Sequence, residues 1–301
     1  MALVSSSDIT SSIVAETVFG VTPTATATRY ELPLGADAAL LTAAATTIAS
    51  PTKRPNRASN GSRRGMVNPE GSLDIRFQNH AFMEILLQSA LSNTFATKVL
   101  KAGTVDSSFS VIHKLANDMY KTYAGNMVTG FSISTTGNDE VKSSWNLIGA
   151  SVTDGATDNA LAVTAITGAT EFLASEVQSI TVAGQTLSVA ELTFETTLDR
   201  TRRPVLGSNT GLQFGVNGTR ETTVTVRAYR ESFAINSAIT GLAQAVSFDI
   251  GTTGAGYRFQ LPAAYGDMPV DSISDGSAFV TITFKAGYDA TSGTDLVITK
   301  L

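Results

Sequence analysis

Cysteine is absent from the 301 residues, which removes disulfides, thiolate metal sites and thiol nucleophiles together. Histidine occurs only at His80 and His113, so zinc ligation and Ser-His arrangements are poorly supplied. Charge is scarce as well: 16% of the residues are charged against 43% hydrophobic, and the net charge of -5 offers no overall basic balance to recruit nucleic acid as a binding partner. No apolar run reaches the ~18 residues that a membrane span needs. The opening Met1-Ala2-Leu3-Val4-Ser5 has no positive n-region and no long apolar core, and Asp8 and Glu16 interrupt the next stretch, so no Sec-type address is expected and synthesis is assigned to a cytoplasm. The carboxylates Asp106, Asp139 and Glu140 fall in predicted turns, where such groups are more often solvated than catalytic. The glycine-rich Gly251-Thr252-Thr253-Gly254-Ala255-Gly256 is followed by no lysine and lies in no βαβ unit. Catalysis is therefore not expected, nor is any cofactor or metal.

What the chain does have is Thr, Ser, Ala, Val and Gly, a mix suited to pleated surfaces and tight bends, and so to a mostly β protein. It also reads as one pattern written twice. Thr46-Thr47-Ile48-Ala49-Ser50-Pro51-Thr52-Lys53-Arg54-Pro55 returns as Thr196-Thr197-Leu198-Asp199-Arg200-Thr201-Arg202-Arg203-Pro204. Each copy leads through a basic loop into an alternating strand and a short amphipathic helix: Ser72 to Phe77 then Phe82, and Thr223 to Ala228 then Phe233. The step from Ile75 to Phe82 equals that from Val226 to Phe233. Further on, Phe248-Asp249-Ile250 answers Phe109-Ser110-Val111, 268–274 answers 127–134, and 280–286 answers 143–149. Self-similarity of this kind outranks any local assignment.

The expected organisation is an N-terminal arm over 1–30, a first domain over 31–152 with a long basic loop at 51–71, a linker over 153–175, and a second domain over 176–301. The helix at 80–91 places Phe82, Ile85, Leu86, Ala90 and Leu91 on one face, to pack on a sheet; His80 near its start reads as a surface residue. Residues 126–152 read as a hairpin with a bulge at Gly130, a turn at Thr136-Gly137-Asn138-Asp139, Ser143, Trp145 and Leu147 on one face, and Ser144, Asn146 and Ile148 on the other. The sheet–helix core is expected to hold Ile75, Phe82, Ile85, Leu86, Trp145, Val226, Phe233 and Phe284.

The succession Glu16-Thr17-Val18-Phe19-Gly20-Val21-Thr22-Pro23, Lys53-Arg54-Pro55-Asn56-Arg57, Glu70-Gly71-Ser72-Leu73-Asp74-Ile75, Phe82 to Leu91 and Tyr288 to Leu296 resembles the major tail tube proteins of long-tailed, non-contractile bacteriophages. The resemblance spans nearly the whole chain in order. It implies two tandem tail-tube-type β-sandwich or barrel domains, each with one short flanking helix, whose inner sheets join those of neighbours around a lumen. It further implies a virion tail protein that polymerises into stacked rings, with the tape-measure protein and double-stranded DNA passing through the lumen without sequence-specific binding, and with no membrane partner. A wall that is not basic lets DNA slide rather than holding it by counterion release. On this reading Ser132, Ser134, Ser144, Asn146, Asp271, Thr281 and Thr283 are lumen-facing candidates. The clustered Lys53, Arg54, Arg57, Arg63, Arg64, Arg200, Arg202 and Arg203 would turn away from the lumen toward neighbouring subunits or rings. Since rings of single-domain relatives are hexameric by that resemblance, a duplicated chain implies a trimeric ring of pseudo-sixfold symmetry; if the second half has drifted into decoration, six chains are needed. The alternatives are a tandem β-sandwich adhesin or fibre subunit, which predicts a secretion signal and stable monomers, or another phage part such as a capsid decoration or tail terminator.

Overall fold

Period-two alternation writes most of this fold. Leu73 and Ile75, Phe131 and Ile133, Leu192 and Phe194, Val224 and Val226, and Ile282 and Phe284 are all buried, with polar residues between them. The computed structural model describes residues 5, 8–35, 39–52, 54–55, 58–168, 171–182, 184–208 and 210–301.

The first half runs β1 (Thr10–Ala15), β2 (Arg29–Leu32), β3 (Thr42–Ala49), β4 (Ser62–Arg76), α1 (Ala81–Leu91), β5 (Val99–Lys101), β6 (Phe109–Ala116), β7 (Met119–Thr136), β8 (Lys142–Ile148), β9 (Ser151–Gly155) and β10 (Val163–Thr164). The second half runs β11 (Val177–Val182), β12 (Gln185–Thr186), β13 (Val189–Thr197), β14 (Arg200–Thr201), β15 (Gly215–Val216), β16 (Glu221–Tyr229), α2 (Ala234–Ala238), β17 (Gln244–Thr252), β18 (Ala255–Gly266), β19 (Val270–Ser274), β20 (Ser277–Gly287) and β21 (Val297–Lys300). One long sheet has the order β3-β4-β8-β7-β13-β16-β20-β19, with the end of β18 beside β19 on the same edge of β20. Two shorter sheets, β10-β2-β1-β6-β7-β9 and β12-β11-β17-β18-β21-β5, complete a sandwich-like, mostly β architecture. The long β7 and β18 each serve two sheets.

Two features hold the halves together. The β7 edge of the first half pairs with β13 of the second from Thr136↔Glu191 to Gly130↔Thr197, while β21 pairs with β5. The aromatic core crosses the same boundary: Phe77 lies 5.6 Å from Tyr257 and 5.9 Å from Phe259, and Phe131, stacked on Trp145 at 4.5 Å, lies 5.4 Å from Phe194.

The bulge at Gly130 is present as a register shift between Val128 and Gly130 in the β7–β8 pairing. Helix α1 occupies the expected span and buries Phe82 and Leu86, with Ile85 half-buried against the core. His80 is its N-cap rather than a plain surface residue: its Nδ1 accepts from Phe82 N at 3.5 Å, and burial lowers its pKa. Glu16 explains the first stretch of the tail-tube resemblance. Its carboxylate accepts from Gly20 N and Gly125 N, both at 2.8 Å, and from Ser108 Oγ and Ser110 Oγ, at 2.7 and 2.6 Å. Gly125 has φ +67°, and a Cβ there would meet Ala150 Cβ at 2.7 Å, so glycine alone fits.

Two expectations need correction. Phe233 is 73% exposed and only caps the five-residue α2, whereas its counterpart Phe82 is fully buried. The physical reason is helix length: α1 runs eleven residues and buries an apolar stripe that includes Phe82, while α2 runs five, buries Ile235 and leaves Phe233 outside as its N-cap. The basic segment 51–71 is not loop throughout: from Ser62 it is strand β4, paired with β3. Within the expected N-terminal arm, β1 buries Ile13 and Val14 between β2 and β6.

His113 on β6 gives a pH-dependent prediction. Buried, 2.7 Å from Ser11 Oγ on β1 and near Lys121, it has its pKa lowered to about 4, first by desolvation and then by that lysine. A histidine whose folded pKa is depressed contributes stability that is present above its unfolded pKa near 6.5 and lost as pH falls toward 4. The loss amounts to about 3 kcal/mol by pH 4. Thermal melts from pH 8 to pH 4 are expected to show this drop, and His113→Gln is expected to flatten it; an unchanged slope in the variant would refute the assignment.

Candidate functional site: a polar sheet face between two open edges

Strand registers across the long sheet place polar side chains in continuous rows on the face opposite the core. One row runs Asp74, Ser144, Ser132, Glu195, Thr223, Lys285; the next runs Arg76, Lys142, Ser134, Thr193, Thr225, Thr283. A third carries Thr136, Glu191, Arg227, Thr281 and Val270. Beneath them, in opposite phase, the row Ile75, Ser143, Ile133, Phe194, Val224, Phe284 is wholly buried. Period-two geometry enforces this division.

The polar rows are tied by short contacts. Ser144 Oγ donates to Asp74 Oδ1 at 2.5 Å, the Thr225 and Thr283 hydroxyls share a bond of 3.1 Å, and Arg227 Nη1 donates to Glu191 Oε1 at 2.5 Å. At the rim Lys142 donates to Asp139 at 2.6 Å, and this bond is the first cause holding the Asp139 carboxyl below the usual range. Arg76 pairs with Glu140. The charges come in both signs, with Asp74, Glu191, Glu195 and Glu221 offset by Arg76, Lys142, Arg227 and Lys285.

Of the lumen candidates, Ser132, Ser134, Ser144, Asn146, Thr281 and Thr283 share this face. Asp271 does not. It is paired with the buried Val280, in the opposite phase, and forms an ion pair of 2.6 Å with Arg230. Glu191, Thr193 and Glu195 join the face without having been among the candidates, although the alternation Leu192-Thr193-Phe194-Glu195-Thr196 is a plain strand signal.

The basic positions divide. Arg54, Arg63, Arg64 and Arg203 are exposed; Lys53 and Arg57 lie outside the described residues. Arg200 and Arg202 must be withdrawn from the outward set. The Arg200 side chain has no exposed surface: it donates to Val128 O at 3.1 Å, Asp106 Oδ1 at 2.8 Å, Ser89 O at 3.3 Å and Ser92 Oγ at 2.9 Å. Those last two groups form the C-terminal end of α1, where unpaired carbonyls attract a cation that the helix itself does not supply. Arg202 donates to Pro69 O and lies 3.6 Å from Glu70.

The long sheet is open at both ends. Among the described residues β19 pairs with β20 and with no other strand, and β3 pairs with β4 alone. Val270 and Ile273 on β19 are 64% and 86% exposed. Beyond Ile148, the last β8 residue paired with β4, the β3–β4 hairpin continues from Pro69 with no other strand beside it among the described residues. Among the described residues no group of His, Asp and Glu is arranged to hold a metal ion.

The sheet thus has one sealed apolar face, one polar face with charges of both signs and two open edges, and open edges are what natural monomers avoid leaving uncovered. A family model described as phage tail tube protein matches residues 6–286, and the chain belongs to that family, whose members are structural proteins of the phage virion tail rather than an enzyme class. No curated relative matches the chain.

Proposed function

We propose that this protein forms the hollow tube of a phage tail as stacked rings of three chains, each chain supplying two of six quasi-equivalent positions by internal duplication. The observation that carries the reading is the β7–β13 junction. Inside one chain the β7 edge of the first half is joined to the second half, and the corresponding β19 edge of the second half is left open. The strand orders match in support: β4-β8-β7 with β6 in hairpin to β7, and β16-β20-β19 with β17 in hairpin to β18. Joining β19 of each copy to the β3–β4 end of the next would give the head-to-tail interface that a closed ring of three such chains requires.

Closure would turn the polar face inward, where its balanced charges and hydroxyls form a hydrated wall. Such a wall offers no net cation field to trap DNA by counterion release, so the genome and the tape-measure protein can move through it during ejection. Synthesis in the bacterial host cytoplasm belongs to the same reading. The β3–β4 arm, with Arg54, Arg63 and Arg64 near its exposed tip, would reach the adjacent ring. An isolated two-stranded hairpin is marginally stable, which favours a partner for it.

Negative-stain electron microscopy of the concentrated protein is expected to show hollow tubes or rings; a dispersed monomer at every concentration would favour the adhesin or decoration readings instead. Replacing Arg54, Arg63 and Arg64 together by alanine is expected to shift monomer stability by no more than about 0.5 kcal/mol per site, while weakening tube growth in a salt-sensitive way. Tubes that grow as before would remove the arm from the stacking contact.

A further inference from the structure

The strand directions give the long sheet two ends with different chemistry in its two halves. At the end where β4 and β16 begin, the first half presents the basic arm tip with Arg54, Arg63 and Arg64. The second half presents a tight loop there instead, closed by Leu212 N donating to Arg203 O at 3.1 Å and Ser208 N to Val205 O at 3.2 Å. That loop is apolar at its tip: Val205, Leu206 and Leu212 are 41%, 101% and 65% exposed. At the opposite end, a strand length of ~30 Å away, the first half carries an open cleft of about 730 Å³ lined by Asp139, Glu140, Leu173 and Ser175 among others. Glu176 flanks it, its carboxylate accepting from Leu173 N at 2.9 Å; since Lys142 already holds Asp139 and Arg76 holds Glu140, the negative excess of this rim rests on Glu176. The second half carries Phe233 and Ile273 at that same end, 73% and 86% exposed, with Arg230 lying 4.8 Å over the Phe233 ring and paired to Asp271 on the Ile273 strand. Basic faces acidic and apolar faces apolar only when like halves are superposed.

We propose that copies of this chain stack head to tail with first half over first half and second half over second half, the Leu206 loop of one copy seating on Phe233 and Ile273 of the next. This rests on the tube reading above and deepens it. A ring of six equivalent positions could accept the next ring in six rotations; the alternation of a basic arm and an apolar loop leaves three. The occupant of the exposed Phe233 and Ile273 surface is thus a second copy of the chain in the adjacent ring. Charge complementarity at the other half fixes the register.

The absence of cysteine makes the test direct. In tubes assembled from Leu206→Cys/Phe233→Cys chains, mild oxidation is expected to give a ladder of disulfide-linked chains on non-reducing gels. Leu206→Cys/Asn138→Cys chains, which report the rotation that sets unlike halves together, are expected to stay unlinked. As a second reading, Leu206→Asp/Leu212→Asp is expected to leave ring mass unchanged and cut tube formation at a fixed concentration by about 10-fold or more. Cross-linking of the second pair, linking of neither pair within intact tubes, or unimpaired tube growth by the aspartate variant would overturn the proposal while leaving the tube reading intact. Failure of the unmodified chain to form rings or tubes would instead remove the reading beneath it, and the proposal with it.

Discussion

Replacing Arg200 by methionine is expected to lower the unfolding free energy by about 3–5 kcal/mol, the cost of breaking a buried pair by removing one partner. The variant removes the ion pair of Asp106, 15% exposed, leaving Arg220 as the cation in electrostatic range. It also strips donors from Val128 O on β7 and from Ser89 O and Ser92 Oγ at the end of α1. Because those groups belong to the first half and Arg200 to the second, the loss falls on the contact between halves as well as on the helix. Against a typical total of about 5–15 kcal/mol this is a large fraction. Arg203→Met, at an exposed position of the same basic run, is expected to stay within about 0.5 kcal/mol. Urea denaturation of the three proteins, compared by midpoint at constant slope, decides the matter. Equal midpoints for the Arg200 and Arg203 variants would contradict the buried assignment.

Blocking the β19 edge is expected to abolish ring closure while sparing the monomer. Adjacent strand residues aim their N–H groups to opposite sides, so Val270→Pro and Asp271→Pro divide the two roles: one removes a donor to β20 and the other a donor to the open side. The proline on the open side should leave the thermal transition of the monomer close to that of the unmodified chain. Each blocked junction would lose about 1–3 kcal/mol from a carbonyl left unpaired and buried. Three such junctions per ring compound that loss, so rings should vanish at concentrations where the parent forms them. If both proline variants assemble as the parent does, β19 is not the joining edge.

Much of this architecture is legible in the residues because one face of each strand is buried. The alternations in 72–77, 143–149 and 223–228, the slip at Gly130 and the apolar stripe of α1 each report a local period, and each stands where that period puts it. The illegible features depend on distant partners. Arg200 and Arg203 look alike in a basic run; only the C-terminal end of α1, more than a hundred residues away, separates a buried cation from an exposed one. Phe233 repeats Phe82 in spacing but not in burial, since α2 is five residues long and packs with Ile235 alone, while α1 carries a full apolar stripe. Composition points Asp271 to the polar face, and the one-residue phase of β19 against β20 places it on the other side. The candidate polar face is half readable: its Ser and Thr members stand out in 132–146 and 281–283, whereas the acidic members Glu191 and Glu195 lie in a strand whose alternation carries no polar run to mark it.

The number of chains in a ring is the most direct test of the duplicated tube subunit. Native mass spectrometry of rings dissociated from short tubes, paired with end-on class averages, is expected to give three copies of the 31.4 kDa chain beneath six lobes. Six copies beneath six lobes would keep the tube and contradict the claim that each chain fills two positions.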